Sequence, residues 1–326
     1  MEKILTRSAW ISLIVSIGVF AFKLWAYYLT GSTAVLSDAL ESIVNVVAAF
    51  VALMVMRAVE EPADDEHPYG HGKLEYFSSA FEGGLVAFAA FMIGVEAVRA
   101  LKEGRIINQI DFGSLSMLAA ALVNLGLGLY LKSIGKKHKS EALQASGSHV
   151  MSDVVTSFGV MIGLGLVKLT GWQWLDPLAA LGVAVHLCFV GYGIVRTAMS
   201  GLLDEYHPES LRDLAAAITK VRRSGFIDIH KMRLIRSGRF HHVDAHLVVP
   251  EFWEISKTHQ EIVRFEKDVV KVYPYDGEIA FHLDPCERKF CANCDLKDCP
   301  IRQTEFVKYK DLSVEALVRK PEGDSH

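Results

Sequence analysis

At 326 residues with a hydrophobic fraction of 51% and a mean hydropathy of +0.25, the chain is too apolar for an ordinary soluble protein of its size. A formal net charge of −4 offers little to a polyanion and argues against a nucleic-acid partner. Length allows about two domains. The apolar residues crowd into 8–200, whereas 204–326 reads as a soluble sequence, so one domain belongs in lipid and the other in water.

A bilayer is crossed by roughly 20 mostly apolar residues, and six stretches qualify, near 8–30, 33–57, 77–100, 112–132, 143–169 and 174–200. Met1 to Arg7 runs directly into the first, with no small-residue cleavage site after a short core, so that stretch reads as a retained helix. Gly31-Ser32 makes a short turn that sets the first two spans antiparallel. The segment at 132–139 is the most basic of the connections, with Lys132, Lys136, Lys137 and Lys139. The opposite connections hold only Lys102, Arg105 and Lys168. Basic residues stay on the cytoplasmic side, which predicts a multi-pass protein of the cell inner membrane with both termini cytosolic.

After Leu203 the pattern changes. Residues 208–223 carry Leu211, Leu214, Ala215 and Ile218 on one helical face. Strands are predicted at 226–235 and 241–249 around Ser237-Gly238, a helix at 255–272 and a third strand at 278–283. The order α, β, β, α, β predicts a small open α/β sandwich. The expected organisation is a six-helix all-α transmembrane domain over 1–203, a cytosolic α/β domain over 204–285, and a cysteine-rich tail over 286–326, partly disordered and loose beyond Val318.

The polar residues inside the spans carry the chemistry. In the second span, Glu41 and Asn45 are four residues apart and share a helix face, with Asp38 one turn before. In the fifth, His149 and Asp153 repeat that spacing. A carboxylate at the bilayer centre costs about 2.5–3.5 kcal/mol or more unless compensated. Two matched pairs are explained economically if they face each other and bind one cation. Glu41, Asn45, His149 and Asp153 form an N/O set suited to Zn²⁺ and also to Fe²⁺, Mn²⁺ or Co²⁺. Interhelical hydrogen bonding is the blander reading, and the lone Asn124 and His186 are assigned to it.

The connection after the second span contains Asp64, His67 and His71, with Gly70 and Gly72 allowing a tight fold. On spacing alone it serves equally as a one-metal loop or as a solvated acidic loop. Near the C-terminus, Cys286, Cys291, Cys294 and Cys299 follow a C-x4-C-x2-C-x4-C pattern. Four thiolates suit a closed tetrahedral Zn²⁺ site. The first three also echo a plant-type iron–sulfur spacing without its distant fourth cysteine, and reduced, unliganded thiols are the third possibility. No nucleophile sits beside the histidines at helical spacing, so a hydrolytic enzyme is not expected.

Taken together, the chain resembles the cation diffusion facilitator (CDF) family of metal–proton antiporters. The resemblance spans about 5–285. It rests on Gly31-Ser32-Thr33-Ala34, Pro-Ala-Asp-Asp-Glu-His-Pro-Tyr-Gly-His-Gly-Lys-Leu-Glu at 62–75, Ser-His-Val-Met-Ser-Asp at 148–153, Asp176-Pro177 and Phe281-His282-Leu283-Asp284-Pro285. It implies a homodimeric, proton-coupled efflux transporter, not an enzyme, for divalent transition metals, with Zn²⁺ foremost and Fe²⁺, Mn²⁺, Co²⁺ or Cd²⁺ as further substrates. It places the transport site on the second and fifth spans and makes Asp64, His67 and His71 metal ligands. It also implies a ferredoxin-like, metallochaperone-like C-terminal domain that binds metal through His246, His259, His282 and Asp284. Where this chain has Asn45 the family usually carries Asp, so one negative charge and one proton acceptor are missing, with Asp38 nearby to compensate. That departure also fits an alternative, a metal sensor or assembly scaffold of the same fold with impaired transport. The cysteine tail lies outside the family pattern and implies a structural or sensory Zn²⁺ site.

Overall fold

The computed structural model describes residues 2–30, 33–103, 111–172 and 174–319. Some helical side chains, those of Asp38, Glu41 and Asp176 among them, lie outside the described residues. The chain divides into two compact units, Met1–Leu203 and Asp204–His326.

The first unit consists of α1 (Glu2–Thr30), α2 (Thr33–Val59), α3 (Leu74–Glu103), α4 (Asp111–His138), α5 (Glu141–Thr170) and α6 (Leu175–Leu202). At about 1.5 Å per residue each exceeds the roughly 30 Å of a hydrocarbon core. Five of the six are long and apolar enough to cross a membrane when only described residues are considered: Ile4–Leu29, Ser42–Val59, Leu74–Lys102, Met117–His138 and Pro177–Leu202. Several side chains of α5 fall outside the described residues. The polarity of this unit is inside out. Phe88, Phe91, Phe189 and Tyr192 point outward, while Ser8, Ser12, Ser16, Ser42 and Ser146 are buried. Water would sort these side chains the other way, whereas lipid accepts an apolar exterior and small or polar helix contacts.

The helices pair as α1 with α2, α3 with α6, and α4 with α5. In addition, α5 packs against α2, α3 and α6, so its polar face looks into the bundle. Close approach of α4 and α5 depends on Gly147, where a Cβ would come within 2.8 Å of the Lys132 backbone nitrogen. Buried Glu75 on α3 accepts hydrogen bonds from Ser140 Oγ at 2.6 Å and the Ala142 amide at 3.4 Å. It thereby places a carboxylate at the positive end of α5.

The second unit holds α7 (Pro208–Lys220), β1 (Asp228–Ser237), β2 (Phe240–Val249), α8 (Ile255–Val272), β3 (Asp276–Pro285) and α9 (Val314–Val318). The sheet order is β1-β2-β3. β1 and β2 form an antiparallel hairpin, and β3 returns through α8 to pair parallel with β2. The expected α/β order is therefore present. One apolar core joins Leu214 and Ile218 of α7, Phe265 and Val269 of α8, and Val243 and Leu247 of the sheet. Leu312, Val314 and Leu317 of the tail enter the same core, and Leu317 is fully buried. The looseness expected beyond Val318 falls on residues 320–326, outside the described residues.

Candidate metal centres

In the helical bundle, α2 and α5 bring Asn45 against Asp153. The Asn45 Nδ2 amide donates to Asp153 Oδ2 at 2.5 Å. His149, one turn before Asp153, is buried and lines a cavity with Asn45, Ser12, Ser16, Glu82 and Ser146. Three of the predicted residues therefore share one interior region. Glu41 and Asp38 are on α2, and their side chains lie outside the described residues.

Two ionisable groups that sequence reasoning passed over also sit inside the bundle. Glu82 on α3 is fully buried, as is nearly all of Lys23 on α1, whose Nζ donates to Ser42 Oγ at 2.8 Å. The signal was available, since each is a charged residue within an apolar run, the same rule that singled out Asp153.

The loop residues Asp64, His67 and His71 converge, with one donor atom from each within 4.8 Å of the others. Asp64 Oδ1 accepts the Glu66 and His67 amides at 3.0 and 2.6 Å, folding the segment into a turn. Gly70 adopts φ +72°, a left-handed conformation that glycine enters without strain. The backbone N–H of His67 leads the causes that hold the Asp64 carboxyl below its ordinary value. The carboxylate is flanked by the His67 and His71 imidazoles at 3.1 and 3.6 Å, an N/O donor set that fits a divalent cation.

In the second unit, strand register builds another cluster. His230 pairs with His246 across β1–β2, and His246 with His282 across β2–β3. Residues opposite each other in a sheet share a face, and Asp284, two residues past His282, lies on the same face. His246 Nδ1 is 3.0 Å and His230 Nε2 is 3.3 Å from Asp284 Oδ2, and His282 Nε2 is 3.8 Å from Asp284 Oδ1. His230, His246 and Asp284 all converge within 4.8 Å. His230 was not anticipated. A register shift between His230 and Arg233, with Lys231 at φ +50°, interrupts the β1–β2 pairing beside it, as a bulge does. Burial leads the causes that lower the His230 pKa, opposed by Asp228 and Asp284, so the neutral imidazole that a metal needs is favoured. His259 is exposed on α8 and does not join the cluster.

The four tail cysteines line one cavity walled by Ile227, Phe290 and Ile301, with Arg288 and Arg302 at its side. None is in a disulfide. Arg302 ties the loop together by donating to the Cys294 and Leu296 carbonyls at 2.9 and 2.6 Å. Burial raises the Cys286 and Cys294 thiols. The sulfurs ring the cavity without converging as tightly as the two histidine clusters. Their soft donor set fits a thiophilic metal.

Comparison with known proteins covers both units but not the cysteine tail beyond residue 286. A family model described as the cation efflux transmembrane domain matches residues 9–203, and one described as the cation efflux protein, cytoplasmic domain, matches residues 206–286. An uncharacterized transporter of Synechocystis sp. is 35% identical over 273 residues, covering 83% of this chain and 87% of the relative. Cation-efflux pumps named FieF from Salmonella arizonae and Citrobacter koseri are each 25% identical over 284 residues, covering 87% of this chain and 94% of theirs.

Proposed function

The chain belongs to the cation efflux family, whose members are transporters rather than enzymes, and from that premise we propose that it exports divalent transition-metal ions, Zn²⁺ foremost, in exchange for protons. The observation that carries this reading is the meeting of Asn45 and Asp153 across α2 and α5, with His149 beside them, inside a bundle whose exterior is apolar. A cytosolic ion reaches Glu41, Asn45, His149 and Asp153, with Asp38 within one turn. Fe²⁺, Mn²⁺, Co²⁺ and Cd²⁺ suit the same N/O donors. Ligands must be deprotonated to hold metal, so protons arriving from outside compete for His149 and the carboxylates and release the ion there. Tilting of helices exposes the site alternately to the two sides.

The basic segment at 132–139 supports a cytosolic location for both termini and the second unit. There the unit pairs with a second copy of the chain, and metal at His230, His246, His282 and Asp284 favours the compact state through differential affinity. Exposed His259 is available to a ligand across that dimer. Zn²⁺ on Asp64, His67 and His71, and on the four tail cysteines, completes the reading. The bond that already satisfies Asp153 through neutral Asn45 favours one second reading, a sensor without transport. Zn²⁺ uptake into proteoliposomes under a proton gradient decides between them. Wild type accumulates ion and Asp153→Ala does not; normal uptake by the variant refutes the site.

A further inference from the structure

Among the described residues, two glutamates on α3 are fully buried, and their partners differ. Glu75 has its carboxylate bonded to Ser140 and Ala142 at the start of α5, a structural role. Glu82, two turns on, has one oxygen bonded: Oε1 accepts from Ser146 Oγ at 2.6 Å. Its Oε2 is shielded from solvent and has no hydrogen-bond partner among the described residues. Leaving a buried carboxylate oxygen unmatched is costly. That cost is accepted where something else supplies the partner.

The surroundings indicate what that partner is. Glu82 lines the cavity that also holds His149, Asn45, Ser12, Ser16 and Ser146, and among the described residues no lysine or arginine lines it. A carboxylate oxygen, an imidazole nitrogen, an amide and hydroxyl oxygens are donors for a divalent transition-metal ion. Their positions on α1, α2, α3 and α5 extend the donor set beyond the α2–α5 pair. We infer that Glu82 is a cation ligand of the transport path, contributed by a third helix and sharing His149 with the α2–α5 site. It restores the negative charge that Asn45 does not provide. The inference rests on the transport reading above.

The test measures Zn²⁺ binding to the full chain in lipid nanodiscs and Zn²⁺ uptake into proteoliposomes, for wild type, Glu82→Gln, Glu82→Asp and Asp153→Ala. Gln keeps the size and the acceptor for Ser146 but removes the charge. The sites outside the bundle are identical in all four proteins, so differences report on the bundle. Glu82→Gln is expected to raise the KM for Zn²⁺ by about tenfold or more and to weaken the bundle binding that Asp153→Ala also weakens. Glu82→Asp, which retains a carboxylate, stays close to wild type. Wild-type KM and binding in Glu82→Gln overturn the assignment and leave transport through Asp153 standing. Equal impairment of the Gln and Asp variants, with unfolding temperatures lowered in both, also overturns it, as a packing effect. Absence of wild-type flux together with weakened binding in Glu82→Gln refutes transport while supporting the ligand.

Discussion

Asn45 sets the character of the α2–α5 contact. An amide beside Asp153 makes a stable hydrogen bond without repulsion. Asn45→Asp would put two carboxylates at that distance, where one must hold a proton unless a cation intervenes. The expected result is a steeper dependence of Zn²⁺ uptake on pH, with KM falling as pH rises, measured as KM against pH for both proteins. His230 is the corresponding residue in the second unit. Its folded-state pKa lies below the ordinary value of about 6.5 because burial disfavours the cation. As pH falls through 6.5 the unfolded chain takes up a proton before the folded one does. Stability present above that pH is therefore lost below it, toward the lower folded value. The unfolding temperature of the metal-free protein should drop across this window, and less in His230→Gln. His230→Ala should also weaken chelator-competed Zn²⁺ binding by on the order of tenfold.

At the scale of elements, the tail and the α4–α5 pair are tied in by packing. Leu317 of α9 is fully buried in the core of the second unit, so Leu317→Ala should cost about 2–5 kcal/mol, read as a lower unfolding temperature and faster hydrogen exchange in β1, against which α9 packs. Gly147→Ala would push a methyl against the backbone of Lys132. Overpacking of this kind costs about 1–3 kcal/mol, and because Gly147 lies two residues from His149 it should reduce uptake as well as stability in detergent. Secondary structure was legible to within a few residues: α8 spans Ile255–Val272 as its apolar spacing predicts, and the hairpin turns at Gly238. α7 stops at Lys220, short of the expected 223. Arg222 leaves the helix to donate to the Phe226 and Ile227 carbonyls, and Arg223 to reach Glu261 and Asp268, pairings invisible to helical periodicity.

For the whole molecule, the proposed metal sites exist only in the folded chain, which brings their donor atoms together. A ligand that binds only the folded form at a hundred times its Kd stabilises it by about 2.7 kcal/mol. Zn²⁺ should therefore raise, and chelation lower, the unfolding temperature, with the increment reduced when Asp284 is replaced by Ala. The sequence by itself determined the apolar stretches, the α/β order of the second unit and the paired polar positions at 41, 45, 149 and 153. Hydropathy and helical or strand period are local properties, written within a few turns of chain. Tertiary structure alone decided that Asn45 bonds Asp153, that Glu82 enters the same cavity, that His230 aligns with His246 and Asp284 while His259 remains outside, and that α9 closes the core. Those outcomes depend on which distant segments pack together and in what register, and burial or a free lone pair exists only once the neighbours are in place.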